Sequence, residues 1–350
     1  MFNLIIRRKN MKNKILVAGN IIVDYLYPIT GYPERGQLTT IEDGVSKAVG
    51  GAVCNVGIDL KRLMPDTDVG ALGLVGNDAS GEFAIATMKK EGLNTSLVGR
   101  EGATSFTYVM SDTHTNERTF FQYRGANAKF SEESFNWDDI DCDLIHIAYI
   151  LLLDELDKED DEYGTKMARL LCHAKERGIK TSIDVVSETG ERFMKLVPPA
   201  LKYTDYCIIN EIEASRSTGI SLRDEEGILI YDNVKKVLKA LFDLGVSEWA
   251  VIHSPEGGFG MDKDGNYTEC GLVYTPKGFI KGKTGAGDAF CAGVLSAAHR
   301  GLSLEYAVKL GNASATVSLR SAGATDAMET IENAMKISEE LGFEPVKLRK

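Results

Sequence analysis

Long apolar runs are missing from this 350-residue sequence; the longest candidates are short stretches such as Tyr149 to Leu153. A helix needs about 20 such residues to cross a bilayer, so an integral membrane protein is excluded. Paired cysteines are missing too. Cys54, Cys142, Cys172, Cys207, Cys270 and Cys291 stand singly, without a Cys-x-x-Cys pair or the Cys/His spacing of a structural zinc. They read as reduced, mostly buried thiols. Basic charge is in deficit as well: a formal net charge of -11 repels nucleic acid and anionic membranes over most of the surface, leaving only a local basic site. The opening residues MFNLIIRRKN place charge after a short apolar stretch and lack a small-residue cleavage site, the wrong order for a secretion signal. A cytoplasmic protein that starts at Met11, or carries a frayed tail, is expected. No internal repeat or low-complexity linker is evident.

What is present is length and apolar content, 43% of the residues, enough for a large core in one main domain. Strand-like runs alternate with helix-period segments, the pattern of parallel strands joined by crossover helices. Strands are expected at Lys14 to Gly19, Val69 to Leu74, Asp143 to Ala148, Lys180 to Val185, Asp205 to Asn210 and Glu248 to His253, the last four each preceded by a helical segment. Helices are expected at Ala52 to Met64, Ser80 to Glu91, Ala286 to Arg300, Leu304 to Arg320 and Ala327 to Leu341. The fold class is α/β, a doubly wound, mostly parallel central sheet flanked by helices. Two Thr- and aromatic-rich stretches, about 25–49 and 103–125, break the rhythm and read as strands of a small β-lid inserted into a domain spanning 11–341, with tails at 1–10 and 342–350. Open α/β sheets bind ligands at the carboxyl ends of their strands, where such a lid can exclude water. The acidic run DELDKEDDE (Asp154 to Glu162) reads as a solvated loop or helix start without chemistry.

The most informative residues are KTGAGDAF (Lys283 to Phe290). Small residues at a helix start let main-chain N–H groups converge on an anion, and the helix dipole adds positive potential. In a phosphoryl transfer they can stabilise the moving phosphoryl oxygens, while Asp288 beside them accepts the proton of an attacking hydroxyl. A glycine-rich loop with an acid in the first helical turn is the plain alternative. KGFIKGKT (Lys277 to Thr284) nearly matches a P-loop, but Lys277 occupies the first glycine position and no strand precedes it. GGAVCN (Gly50 to Asn55) is a second glycine-led helix start, and Asp24 ends GNIIVD; Asp and Asn are types that bind sugar hydroxyls, although both segments are also common turn chemistry. GLVGNDASGE (Gly73 to Glu82) reads as a turn and N-cap. In NEIEA, Asn210 and Glu213 lie three apart and can share a helical face, a pair able to hold water around Mg²⁺ or simply an acid-rich helix N-terminus.

In order, and across about residues 14 to 326, these segments resemble the ribokinase-like, PfkB-type carbohydrate kinase family. GAGDAF is similar to its most specific signature, and GGAVCN, GLVGNDASG and NEIEA match earlier landmarks. The resemblance implies transfer of the ATP γ-phosphoryl group to an alcohol, with Mg²⁺, and a β-lid that often mediates dimerisation. It implies Asp288 as base, Gly285, Ala286 and Gly287 as anion hole, and Asp24, Gly50, Gly51 and Asn55 at the substrate. Asn210 and Glu213 fall where the family organises phosphate and metal, Glu213 acting through water; Thr284, His253, Gly258 and Asn312 are candidate neighbours of ATP. Two departures stand out. Gly282 and Lys283 replace the Asp-Thr usual in the family, whose Asp helps bind potassium in activated members, so activity is expected not to need potassium. Pro255 replaces a usual glycine, removing a main-chain donor and fixing φ in the nucleotide-side loop.

ERTFFQYRGAN (Glu117 to Asn127) looks like the lid strand of fructokinases and keto-deoxy sugar acid kinases, in which an aromatic residue and an arginine, here Tyr123 and Arg124, can face the substrate. An inward arginine could pair with a carboxylate or phosphate; exposure is the plain reading for Arg118. The expected substrate is an unphosphorylated sugar, fructose- or ribose-like. A nucleoside kinase of the same fold and a non-catalytic sugar- or nucleotide-binding regulator are the alternatives.

Overall fold

The computed structural model describes residues 13–115, 117–186, 190 and 192–346. The expected leading tail, the candidate start at Met11 and residues 347–350 lie outside them. The chain opens with β1 (Lys14–Gly19), β2 (Ile22–Ile29) and β3 (Ser46–Gly50), followed by α1 (Ala52–Leu63), β4 (Asp68–Val75), α2 (Ala79–Lys90) and β5 (Asn94–Arg100). Next come β6 (Phe106–Asp112), β7 (Arg118–Tyr123), two 3-10 turns, β8 (Leu144–Ile150), the short hairpin β9 (Glu159–Asp160) and β10 (Gly164–Thr165), α3 (Lys166–Glu176) and β11 (Lys180–Val185). The series continues with α4 (Phe193–Leu201), β12 (Tyr206–Asn210), α5 (Glu211–Thr218), α6 (Tyr231–Asp243), β13 (Trp249–Ser254), β14 (Gly257–Asp262) and β15 (Tyr267–Gly271). Three helices close it, α7 (Ala286–His299), α8 (Leu304–Ser318) and α9 (Ile331–Leu341).

Nine strands form one sheet in the order β15-β14-β13-β12-β11-β8-β1-β4-β5. It is parallel from β13 to β5, and β14 and β15 add an antiparallel edge. Period-two alternation sends its residues to two cores. Leu16 and Ala18 of β1 join Ile145, Ile147, Ile209 and Ile252 on the face covered by α3 to α6. Ile15 and Val17 join Leu144, Ile208 and Val251 on the face covered by α1, α7, α8 and α9. Helix α6 shows why such segments fold: Val234, Val237, Leu238 and Leu241 make one buried stripe at helical spacing. The chain reverses direction across the sheet at β1, which pairs with β8 on one side and β4 on the other, so the carboxyl ends there open a crevice.

A separate four-stranded sheet, β3-β2-β6-β7, stands beside this crevice as the lid. Four features differ from the sequence reading. Among the described residues no α-helix lies between β7 and β8; Phe130, Phe135 and Trp137 pack on one another around 3-10 turns instead of forming a helical stripe. β5 and the hairpin β14–β15 extend the sheet beyond the expected strands. The last helix starts at Ile331, capped by Thr330, rather than at Ala327. The acidic run is not all solvated: Asp157 is buried and accepts main-chain hydrogen bonds from Leu151 and Leu153.

Candidate active site

Five strand ends converge on the crevice. The segment leaving β1 carries Asn20, and β8, β11, β12 and β13 end near Tyr149, Asp184, Asn210 and His253. Facing them is the head of α7. Gly285 is its N-cap with φ 78°, and no side chain caps the first turn. The N–H groups of Ala286, Gly287 and Asp288 precede the first i−4 bond, which runs from Ala289 to the Gly285 carbonyl at 2.8 Å. An uncapped helix head lined by two glycines and an alanine is shaped to receive an anion. The small-residue sequence of α7 allows this helix to lie deep: a Cβ at Gly293 would come within 2.7 Å of the Ser314 hydroxyl on α8.

Asp288 stands in the first turn of α7, only 8% exposed. The Asn55 side-chain amide donates to its Oδ2 at 2.9 Å, and the Tyr149 hydroxyl donates to its Oδ1 at 2.6 Å. Burial pushes its carboxyl above the usual range, while the Tyr149 and Asn55 bonds pull it down. Asn55 is delivered by α1, whose N-cap is Gly51 at φ 81°. A Cβ at Gly51 would lie 2.4 Å from the Asn20 carbonyl oxygen, so only glycine lets α1 start against β1. At neighbouring Gly50 a Cβ would lie 2.3 Å from the Asp24 carboxylate, which occupies that space. Burial raises the Asp24 carboxyl, with a Thr107 hydrogen bond opposing. Thus Asp24, Gly50, Gly51, Asn55 and Asp288 are linked by direct contacts.

Asn210 and Glu213 meet as the spacing predicts, in a capping box: Asn210 Oδ1 accepts from the Ile212 and Glu213 N–H groups, and Glu213 Oε2 accepts from the Asn210 N–H at 2.9 Å. Asp184 lies beside them. Its carboxyl is held well above the usual range by burial and by the charges of Glu213 and Asp288. His253 packs near Gly287, where a Cβ would meet its ring at 3.3 Å, and stacks on Phe290 with ring centroids 5.0 Å apart. Burial lowers its imidazole to about 4. Thr284 is exposed and accepts from Arg118 Nη1 at 2.7 Å, tying β7 of the lid to the loop before α7. Gly258 and Asn312 have supporting positions. A Cβ at Gly258 would crowd Val308 and Phe290 at about 3 Å, and the Asn312 amide ties α8 to the Cys270 and Gly271 carbonyls.

The lid places the two expected substrate residues, Tyr123 and Arg124, apart from the Asp24 row. Directly paired residues share a sheet face, which places Asp24, Thr107 and Gln122 in one row and Leu26, Val109 and Phe120 in the next. Arg118 shares that face with Phe120 and Gln122, and its bond to Thr284 marks it as the side turned to α7. Tyr123 lies on the other face, against Phe106 at 5.2 Å. Arg124 is committed elsewhere: its guanidinium is paired with Asp154, a member of the acidic run. Sequence reasoning missed Tyr149, Asp184 and Asp59. Asp59, one turn beyond Asn55 on α1, is fully buried with neither carboxylate oxygen hydrogen-bonded, and burial and the Asp288 charge raise it well above the usual range. A carboxylate at the end of the apolar strand KTSIDV was a readable signal for Asp184.

With this geometry in place, a family model described as pfkB family carbohydrate kinase matches residues 12–331. The chain belongs to the pfkB carbohydrate kinase family. It is an enzyme, a kinase with a ribokinase-like fold. Similar proteins include a nucleoside kinase from Methanocaldococcus jannaschii, 24% identical over 92% of this chain and 96% of its own. A 2-dehydro-3-deoxygluconokinase from Dickeya dadantii is 25% identical over 82% of this chain and 92% of its own. A solved Arabidopsis thaliana ribokinase, complexed with ribose and ATP, aligns with a TM-score of 0.76 at 19% identity, over 93% of this chain and 98% of its own. Among the described residues, no helix of this kinase is long and apolar enough to cross a membrane.

Proposed function

We propose that this kinase transfers the γ-phosphoryl group of ATP to an alcohol of a small uncharged sugar, fructose- or ribose-like, with Asp288 as general base. The observation that carries the reading is Asp288 itself, in the first turn of a helix whose uncapped head can receive phosphoryl oxygens while the carboxylate takes the alcohol's proton. The hydroxyl attacks the γ-phosphorus, the bond to the bridging oxygen breaks towards ADP, and the proton passes to Asp288. Asp24, with Gly50, Gly51 and Asn55 behind it, is suited to accept sugar hydroxyls. Thr284 and His253, beside the α7 head, belong to the ATP side, with Gly258 and Asn312 shaping its wall. The complex of Arabidopsis thaliana ribokinase with ribose and ATP supports the choice of nucleotide.

Asp184 and Glu213 suit Mg²⁺. Two adjacent carboxylates, Asp184 raised first by burial and then by the Glu213 charge, make a donor set that a hydrated divalent ion relieves with few direct ligands. Bound there through water, the ion would neutralise charge on the phosphates. The pairing of Arg124 with Asp154 supports an uncharged acceptor, because it takes that guanidinium away from a substrate carboxylate; Arg118, bonded only to the neutral Thr284 hydroxyl, keeps its charge. One observation favours a second reading, a nucleoside acceptor: Phe120, 63% exposed, stands with Leu26 and Val109 on the face turned to the site, an apolar strip that a base can cover. On the opposite face, exposed Tyr108, Phe121 and Tyr123 support a homodimer through the lid.

The test is ADP release from Mg-ATP with D-fructose, D-ribose, 2-dehydro-3-deoxygluconate and adenosine, with and without potassium. The reading expects a neutral sugar to be turned over fastest, at a rate that potassium leaves within about twofold of a tetramethylammonium control. Preference for adenosine would select the second reading, preference for the sugar acid would refute an uncharged acceptor, and turnover of none would favour a binding protein.

A further inference from the structure

Of the aspartates Asp59, Asp184 and Asp288, only Asp288 has a side-chain donor on each carboxylate oxygen among the described residues, Tyr149 at Oδ1 and Asn55 at Oδ2. Asp59 has neither oxygen bonded, and Asp184 accepts from the Val185 N–H. The groups facing Asp288 from other elements are largely acidic: Asp59 on α1 and Asp184 on β11, with Glu213 on α5 beyond Asp184 and the neutral ring of His253 near Gly287. A carboxyl so placed has two ways to fail as a base. It can keep its proton, or it can turn away from the helix head.

We infer that Tyr149 is a positioning residue that fixes the Asp288 carboxylate beside the head of α7 and keeps it in its proton-accepting form. The inference rests on the reading of Asp288 as base. Tyr149 supplies the shorter of the two bonds, from the carboxyl end of β8, a different element from the one that supplies Asn55. Two donors from two elements define the plane of the carboxylate, as one donor would not. An ionised carboxylate offers about four lone-pair sites, so both oxygens retain capacity for the substrate hydroxyl. Tyr149 remains a donor throughout, because burial and the neighbouring Asp288 and Asp184 charges hold its phenol well above its ordinary range. A donor to the charged form favours that form, and its loss leaves burial less opposed.

The experiment compares wild type, Tyr149→Phe and Asp288→Asn by two readouts. One is the pH profile of kcat/KM with Mg-ATP and whichever of D-fructose, D-ribose or adenosine turns over fastest. The other needs no acceptor: carbon-detected NMR titration of carboxyl-labelled aspartate, with Asp288 assigned by its loss in Asp288→Asn. Tyr149→Phe should move the acid limb and the Asp288 midpoint upward together by about one unit, with the plateau above the limb lowered less than about tenfold. A profile lowered uniformly with the midpoint unmoved would overturn the inference while leaving the base assignment standing. Retained turnover in Asp288→Asn would instead overturn the base assignment. Should Tyr149→Phe not fold, 3-fluorotyrosine at this position alone keeps the ring and strengthens the donor; it must move the midpoint down, and an unmoved or raised midpoint would overturn the inference.

Discussion

A carboxylate that accepts a proton from an alcohol must be ionised when the alcohol arrives, and burial works against that. Asp157, a second buried carboxyl, shows the same effect of burial. Main-chain donors at 3.1 and 3.2 Å do not offset desolvation, and its carboxyl is raised to about 6. That lies above the unfolded value near 3.9, so the native state binds the extra proton between roughly pH 4 and 6 and gains stability as pH falls through that window. Urea unfolding of wild type and Asp157→Asn should therefore diverge: lowering pH from 8 to 4 should stabilise wild type relative to the variant by up to roughly 3 kcal/mol. Parallel curves would contradict a raised Asp157. The sequence gives no warning of this, because Asp157 sits in a run of nine residues containing seven acids, and burial of one member depends on how the chain turns after β8. Tyr149 was hidden differently. In LIHIAYI it continues an apolar strand pattern, and its partner is 139 residues away. Asp288 was legible because its chemistry is local, two glycines and an acid at one helix start.

Helices and strands were legible where burial imposes a period. β1, β11, β12 and β13 match the expected runs within a residue, and α1 and α7 start at the expected positions. β14, GGFGMD, was missed because half its residues are glycine and it joins the edge antiparallel. The face of a lid strand was also beyond sequence, since alternation says that Phe120 and Tyr123 point apart without saying which points inward; the Arg118–Thr284 bond decides it. Gly51→Ala combines φ 81° with a Cβ 2.4 Å from a main-chain oxygen, whereas Gly219, the C-cap of α5 at φ 71°, has open space around it. Gly219→Ala should cost about 1 kcal/mol, the left-handed penalty alone. Gly51→Ala should cost about 3 kcal/mol or more and lower kcat/KM, because α1 carries Asn55. Equal urea midpoints for the two variants would refute this account of the junction of β1 and α1.

On the scale of the molecule, a net charge of -11 surrounds a site that is itself lined by carboxylates, Asp24, Asp59, Asp184, Glu213 and Asp288. Such a surface suits polyphosphate only where local positive potential gathers, at the α7 head and at a bound divalent ion. The outer face of the lid, with Tyr108, Phe121 and Tyr123 exposed, is the patch that a second copy would cover. In sedimentation velocity the wild type should run as a dimer and Tyr108→Ser with Phe121→Ser as a monomer; identical sedimentation of the two would rule this face out. The role of Asp288 is read most directly from kcat and ATP affinity of Asp288→Asn beside wild type. Loss of the proton acceptor with the helix head intact should lower kcat by about 10²- to 10⁴-fold and leave the ATP dissociation constant within about twofold. Unchanged kcat, or ATP binding lost in proportion to turnover, would contradict the assignment of Asp288 as the base.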